Sequence, residues 1–283
     1  MRRASTRPRG RPAKVVVATL LISLVGVTAA IAAKPQPAID TFTPHHERDI
    51  PNLDVLRQQI RNYYGDPLGT GTFSGNSYYA QEARGVAQDG ADWLLTDRNP
   101  GDLQAIILDV DDTTLATWNY EIFSNWAFNP TTNAQFVTDQ RFPAVPGMLK
   151  MVTKAANEGY AIIFLTGRPA SQESATLGNL TSDGVGQDVG YPQPATLNDG
   201  EDGLFTKPAT TDYGNYPYLQ TACAAEIAAG KSCTTVHYKS ATRAHIESLG
   251  YDIVANFGDQ FSDLIGGHAD RTFKLPNPNY FLP

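Results

Sequence analysis

Ala105-Ile106-Ile107-Leu108-Asp109-Val110-Asp111-Asp112-Thr113 is the stretch that decides how this chain folds. A short apolar run bounded by polar residues has the composition of a strand buried on both faces of a parallel sheet. It runs straight into three carboxylates. Ligands of open α/β sheets gather at the carboxyl ends of the strands, so the acids fall where a site would lie. While the chain stays extended, period-two alternation puts Asp109 and Asp111 on the same side. Acids this close repel one another unless a cation sits among them. Two neighbouring carboxylates beside a hard cation can supply a nucleophile and a proton donor. Taken alone, the same residues fit equally well as turn-forming and helix-capping acids after a strand.

Outward from this strand, strand and helix patterns alternate. Residues 160–165, 253–257 and 271–274 read as further strands, and 146–158 and 240–249 as helices. That order implies an α/β fold: a mostly parallel, Rossmann-like sheet with helices on both faces. Two helices precede it, over 53–64 and 77–97. The second carries Ala83, Val86, Ala87, Ala91 and Leu94 on one face, although Gly85 and Gly90 weaken it. Two inserts interrupt the pattern. Residues 116–145 hold Trp118, Tyr120, Phe123, Trp126, Phe128 and Phe136, while 182–232 are rich in Gly, Pro, Tyr and Asp and read as loop-dominated.

Asp109-Val110-Asp111-Asp112-Thr113 resembles the first motif, D-x-D-x-T, of the haloacid dehalogenase-like phosphatases. Phe164-Leu165-Thr166-Gly167-Arg168-Pro169 is similar to the second motif, an apolar strand ending in Thr or Ser. Lys239 stands where the third motif has its lysine, and Gly258-Asp259-Gln260-Phe261-Ser262-Asp263 resembles the fourth, acidic motif. Any one of these is weak by itself: Thr166-Gly167 could be a plain turn, Lys239 a solvated lysine, Asp259 and Asp263 a solvated helix face. All four in the family's order are not easily had by chance. The spacing, and the ending Lys274-Leu275-Pro276-Asn277-Pro278, look most like the secreted acid phosphatases: the bacterial class B and C enzymes and the plant acid phosphatase and vegetative storage protein group. The likeness covers about residues 50–283, so a phosphatase domain is expected over 51–283.

That resemblance implies roles. Asp109 would be the nucleophile, and Asp111 the acid that protonates the leaving group and then activates water. Asp112, a position the motif leaves free, would be a loop or cap residue. Thr166, Gly167 and Lys239 would hold the phosphoryl oxygens. Mg²⁺ would be bound by the Asp109 carboxylate, the Asp111 main-chain carbonyl and Asp259, with Asp263 in the outer shell orienting a metal water or Lys239. The 116–145 insert would form a cap, in which Trp118 and Tyr120 are the candidates for touching substrate and the other aromatics form a small core. Asp111 points away from dehalogenases, which lack an acid there. No Arg-His-Gly occurs, and five histidines, two of them adjacent, cannot furnish a binuclear metallophosphatase. The expected activity is hydrolysis of small-molecule phosphate monoesters. The alternatives are a narrow-specificity nucleotidase or phosphotransferase on the same site, or a secreted storage or binding protein without chemistry.

The amino terminus belongs to a different class of sequence. Arg2, Arg3, Arg7, Arg9, Arg11 and Lys14 precede an apolar run over 15–33 with a small-x-small cleavage pattern at Ala30-Ile31-Ala32. We expect a signal peptide over 1–32, an extended leader over 33–50 and no membrane association after cleavage. The other reading, a retained anchor, is weakened by Thr19, Ser23, Gly26 and Thr28. The chain has 22 Lys plus Arg against 29 Asp plus Glu; without the six leader cations the balance is 16 against 29, a net charge of −13. Such a protein is a poor binder of nucleic acid polymers. In an exported chain the two cysteines, Cys223 and Cys233, are expected to form a disulfide.

Overall fold

The computed structural model describes residues 44–96, 103–181 and 189–282. The signal peptide expected over 1–32, most of the leader and the start of the second insert lie outside the described residues.

Strands β1 (Leu103–Leu108), β2 (Ala161–Pro169), β3 (Leu204–Lys207), β4 (Tyr251–Gly258) and β5 (Arg271–Lys274) form one sheet in the order β3-β2-β1-β4-β5. Every pairing is parallel. The helices are α1 (Leu53–Tyr63), α2 (Tyr78–Thr96), α3 (Trp118–Ser124), α4 (Pro130–Thr138), α5 (Met148–Asn157), α6 (Glu173–Leu180), α7 (Pro217–Ala222), α8 (Ala224–Ala228), α9 (Thr235–Ser248) and α10 (Phe261–Leu264). The expected α/β architecture is the one observed.

Side-chain alternation along the central strand builds two cores. Ile106 and Leu108 of β1, with Ile162 and Phe164 of β2 and Phe257 of β4, face Ala83, Ala87 and Leu94 of α2 and Met151 and Val152 of α5. Ala105 and Ile107, with Ile163, Leu165 and Ile253, face Leu219 of α7 and Tyr238 and Ile246 of α9. Because both faces are covered, the strands are near-continuous apolar runs. Truncating Ile106 or Leu108 to Ala would cost about 2–5 kcal/mol through lost burial and the cavity left behind.

Gly90, which weakened the sequence case for α2, is what lets that helix sit on the sheet. A Cβ there would meet the ring of Phe257 at 2.6 Å. Trp93 Nε1, one turn on, donates to Val254 O at 2.9 Å and ties helix to strand.

Three local departures from the sequence expectations have physical causes. Helix α9 begins at Thr235 instead of 240, because the Thr234 side chain accepts from His237 N and caps it. Lys239 therefore lies on the helix. The second insert supplies β3, an edge strand of four residues whose Leu-Phe-Thr-Lys is too short for a periodic signal. The insert also supplies α7 and α8, and the expected Cys223–Cys233 bridge closes its end with a Cα–Cα distance of 5.2 Å. Among the described residues no helix is long and apolar enough to cross a membrane.

Candidate active site

The chain runs from β1 outward through β2 to β3, then returns to the other side of β1 with β4. β1 and β4 are thus neighbours at a topological switch point, where ligands of open α/β sheets bind. Asp109 follows β1 and Asp259 follows β4, and Asp109 N donates to Phe257 O at 3.0 Å across this edge. Thr166 and Gly167 lie near the end of β2.

Asp109, Asp259 and Asp263 are all buried, and one carboxylate oxygen of each lies within 4.8 Å of the others. Lys239 is buried among them. Its ammonium donates to Asp109 Oδ1, and to Asp263 Oδ1 at 2.7 Å. Asp263 is itself fixed, since Gln260 N donates to its Oδ2 at 2.8 Å. A Cβ at Gly258 would strike the Asp263 Cβ at 2.4 Å, so the glycine is what allows the loop to fold back. Asp259 accepts from Gln260 Nε2 at 2.6 Å and Asn277 Nδ2 at 2.7 Å.

Burial pushes the Asp109 carboxyl well above the usual range; Lys239 opposes this, and the charges of Asp263, Asp259 and Asp111 reinforce it. Burial likewise moves Asp259 up to about 8, with Asp263 and Asp112 adding to the effect. On Lys239 burial acts downward, but the charges of Asp109 and Asp263 override it and hold the ammonium above its ordinary value. Three buried carboxylates face one ammonium here, and uncompensated buried charge is costly. The all-oxygen donor set and its excess negative charge therefore fit a hard divalent cation.

Asp111 is held differently. Its carboxylate, about a third exposed, receives Arg168 Nη2 at 2.6 Å and Nε at 3.0 Å. Asp112 turns the chain. It has a left-handed φ of 55°, and it accepts from Thr117 N at 2.9 Å and Thr117 Oγ1 at 2.5 Å, bracing the start of α3. Burial raises it to about 7, with Thr117's hydrogen bonds working against the shift. Thr166 is buried and its Oγ1 accepts from Arg168 N at 3.1 Å, while Gly167 is exposed and open on its Cα side.

The structure brings Asp109, Asp259, Asp263 and Lys239 together directly. It does not bring Trp118 and Tyr120 to them as open faces. Trp118 is fully buried, stacked on Tyr64 with ring centroids 4.1 Å apart and its Nε1 donating to Asp66 Oδ2 at 3.0 Å. Tyr120 is also buried, edge-on to Phe136, and its hydroxyl donates to Asn129 O at 2.9 Å. This corrects the expected substrate contact, because both rings serve packing.

Four residues around the cluster had no role in the sequence argument. Arg168 lies within the second-motif stretch, and its partner is 57 positions away. Arg243, one turn along α9 from Lys239, donates to the carbonyls of Asp263, Ile265 and Gly267 and holds the Asp263 loop. Asn277 binds Asp259 from the carboxyl-terminal segment. Tyr280, partly buried, has its phenol pushed well above the ordinary value by burial and then by Asp112, Asp259, Asp111 and Asp109. Arg168 and Asn277 lay in stretches that carried the family resemblance; Arg243 and Tyr280 gave no sequence signal.

Residues 40–283 match the family model of the HAD superfamily, subfamily IIIB (Acid phosphatase). The chain is 32% identical over 183 residues to the stem 28 kDa glycoprotein of Glycine max, covering 62% of this chain and 59% of that protein. It is 30% identical over 185 residues to acid phosphatase 1 of Solanum lycopersicum, covering 62% and 58%. The chain thus spans a little under three fifths of the length of these curated relatives. Among solved structures it is similar in fold to the class C acid phosphatase from Bacillus anthracis, with a TM-score of 0.50 at 17% identity, covering 80% of this chain and 85% of the other.

Proposed function

The chain belongs to subfamily IIIB, the acid phosphatases, of the HAD superfamily, and on that premise we propose that it hydrolyses small phosphate monoesters through an aspartyl-phosphate formed on Asp109. The observation that carries this is the contact of Lys239 with both Asp109 and Asp263 at the carboxyl edge of the sheet, with Asp111 beside it. A buried carboxylate and a fixed cation, with the partly exposed Asp111 carboxyl two residues along the chain, are the groups this reading needs.

In the first half-reaction an Asp109 carboxylate oxygen bonds to phosphorus as the ester P–O bond breaks. Asp111 gives its proton to the departing alkoxide. In the second, Asp111 takes a proton from water as the water oxygen attacks phosphorus, and the Asp109–phosphorus bond breaks to release phosphate. Lys239 stabilises charge on the phosphoryl oxygens throughout. Thr166 and the Gly167 amide offer further donors at the end of β2. Asp109 and Asp259, with the Asp111 main-chain carbonyl, would hold Mg²⁺, and Asp263 would orient Lys239 from behind. The cation, when bound, supplies neutralisation of phosphate charge and lets three buried acids ionise together.

The disulfide and the relation to plant glycoproteins support export of the protein. Phosphate release from p-nitrophenyl phosphate and alkyl phosphates, with and without Mg²⁺, tests the activity. A folded, metal-loaded protein that releases no phosphate from any monoester would overturn it and leave a storage or binding role.

A further inference from the structure

A cavity of about 550 Å³ opens between the end of β2, the end of β3 and the disulfide-closed segment, with Gly167 in its lining. Its polar lining comes from Gly167, Ser171, Lys207, Thr210, Asp212 and Ser232; the remainder is proline and alanine, with no aromatic ring. Gly167, proposed above to offer its amide to the phosphoryl group, also lines this cavity, so the two adjoin at that residue. In the parallel pairing of β2 and β3, Pro169 stands opposite Lys207, which puts Lys207 at the same sheet edge as Thr166.

Lys207 is the unexplained charge of this region. Its ammonium donates to Cys233 O at 2.5 Å and lies 5.9 Å from the ring centre of Tyr238. No carboxylate among the described residues lies within ion-pair distance of it. Lys239, by contrast, is committed to Asp109 and Asp263. Burial, and then the like charge of Lys239, holds the Lys207 ammonium below its ordinary value, so the two cations act on one another. A half-buried lysine with two free N–H donors, lining a cavity that also carries three hydroxyls and adjoins the proposed phosphate site, is suited to an anion brought in by the ligand.

Resting on the phosphatase function proposed above, we infer that this cavity receives the alcohol portion of the ester. We further infer that Lys207 selects alcohols bearing a second anionic group. Ser171 offers a hydrogen bond to a hydroxyl of such an alcohol, as does the Thr210–Ser232 pair, whose hydroxyls lie 3.0 Å apart and bond each other, and the absence of rings in the lining disfavours stacked bases. Asp212, at the exposed side, opposes a second anion and limits the preference.

The matched probes are 3-phosphoglycerate and glycerol 3-phosphate, which differ by a carboxylate in place of a hydroxymethyl group. The wild-type kcat/KM should favour 3-phosphoglycerate. Lys207→Gln should lower that ratio about tenfold, a change of roughly 1.4 kcal/mol. Lys207→Arg should restore most of it, and Asp212→Asn should raise it. Equal losses on both substrates in Lys207→Gln, with a lower Tm, would assign Lys207 to holding the Cys233 loop and overturn the inference. A wild-type enzyme without preference would also overturn it. If wild type releases no phosphate from either probe or from p-nitrophenyl phosphate, the phosphatase function fails and this inference fails with it. Turnover with a ratio that Lys207 does not move removes the inference alone.

Discussion

Arg168 grips Asp111 with two of its nitrogens, Nη2 to Oδ1 at 2.6 Å and Nε to Oδ2 at 3.0 Å, while Nη1 bonds Thr176 Oγ1 at 3.0 Å. The guanidinium also lies over Phe142, 5.3 Å from its ring centre, so the clamp is anchored on a packed surface. Two bonds to one carboxylate fix its plane as well as its position, which a lysine could not do. Arg168→Lys should keep the charge and lose the alignment. We expect kcat for an alkyl phosphate to fall about tenfold, and less for p-nitrophenyl phosphate, whose leaving group needs little protonation. Equal effects on both substrates would separate Arg168 from the proton-donor role proposed for Asp111.

Asp109→Asn gives opposite signs for activity and stability. Phosphate release should fall by at least about a thousandfold, because the attacking oxygen is lost. The substitution also removes a buried charge whose pKa burial drives upward, while Asp263 remains to pair with Lys239. Thermal stability should therefore be kept or gained at pH 8. Single-turnover phosphate release and calorimetry on the same preparation check both halves.

Cation binding should be visible without turnover. Burial places Asp259 at about 8, so protons compete with a cation for it below that pH. Mg²⁺ at a hundred times its Kd should stabilise the folded protein by about 2.7 kcal/mol at pH 8, and by less at pH 5.5. Asp259→Asn should abolish most of this shift. A variant that retains the full Mg²⁺-dependent rise in Tm would move the site elsewhere.

The legible parts of the molecule were those with local signals. The run from Ala105 to Leu108 and the helical face of α2 are periodic patterns that tertiary packing reinforced. Asp109 and Asp259 announced themselves because each sits just past a strand, and Lys239 because it stands in the family's motif order. Strand β3 did not, since four residues on a sheet edge carry no period and take their conformation from β2. The clamp on Asp111 and the Asn277 contact with Asp259 were hidden for another reason. They join positions far apart in the chain, and nothing in either segment names its partner. Trp118 and Tyr120 were misplaced because nearness in sequence to the acids says nothing about which way a ring faces. The side chain of Asp66 and the ring of Tyr64 decide that for Trp118, and Phe136 and the Asn129 carbonyl decide it for Tyr120.

Glu121 gives a pH dependence of stability that is separate from the cation site. It is buried in α3, no donor or cation among the described residues meets its carboxylate, and burial raises it to about 7. An unfolded Glu titrates at about 4.3, so the folded state holds the extra proton between these values. The folded value is the higher one, which makes the folded protein bind more protons, and stability must fall as pH rises. The contribution is fully present below about pH 4 and is lost as pH climbs through about 7. Its size is on the order of 3 kcal/mol. Glu121→Gln keeps the shape and removes the charge, so the variant should match wild type near pH 4.5 and exceed it by a few degrees in Tm at pH 8. Asp112, raised to about 7 in part by the charge of Glu121, contributes a decline of the same sign and should leave a shallower slope in the variant. Denaturant unfolding from pH 4.5 to 8.5, in the presence of a chelator, measures both slopes. Parallel curves for the two proteins would show that Glu121 ionises in the folded state at its ordinary value.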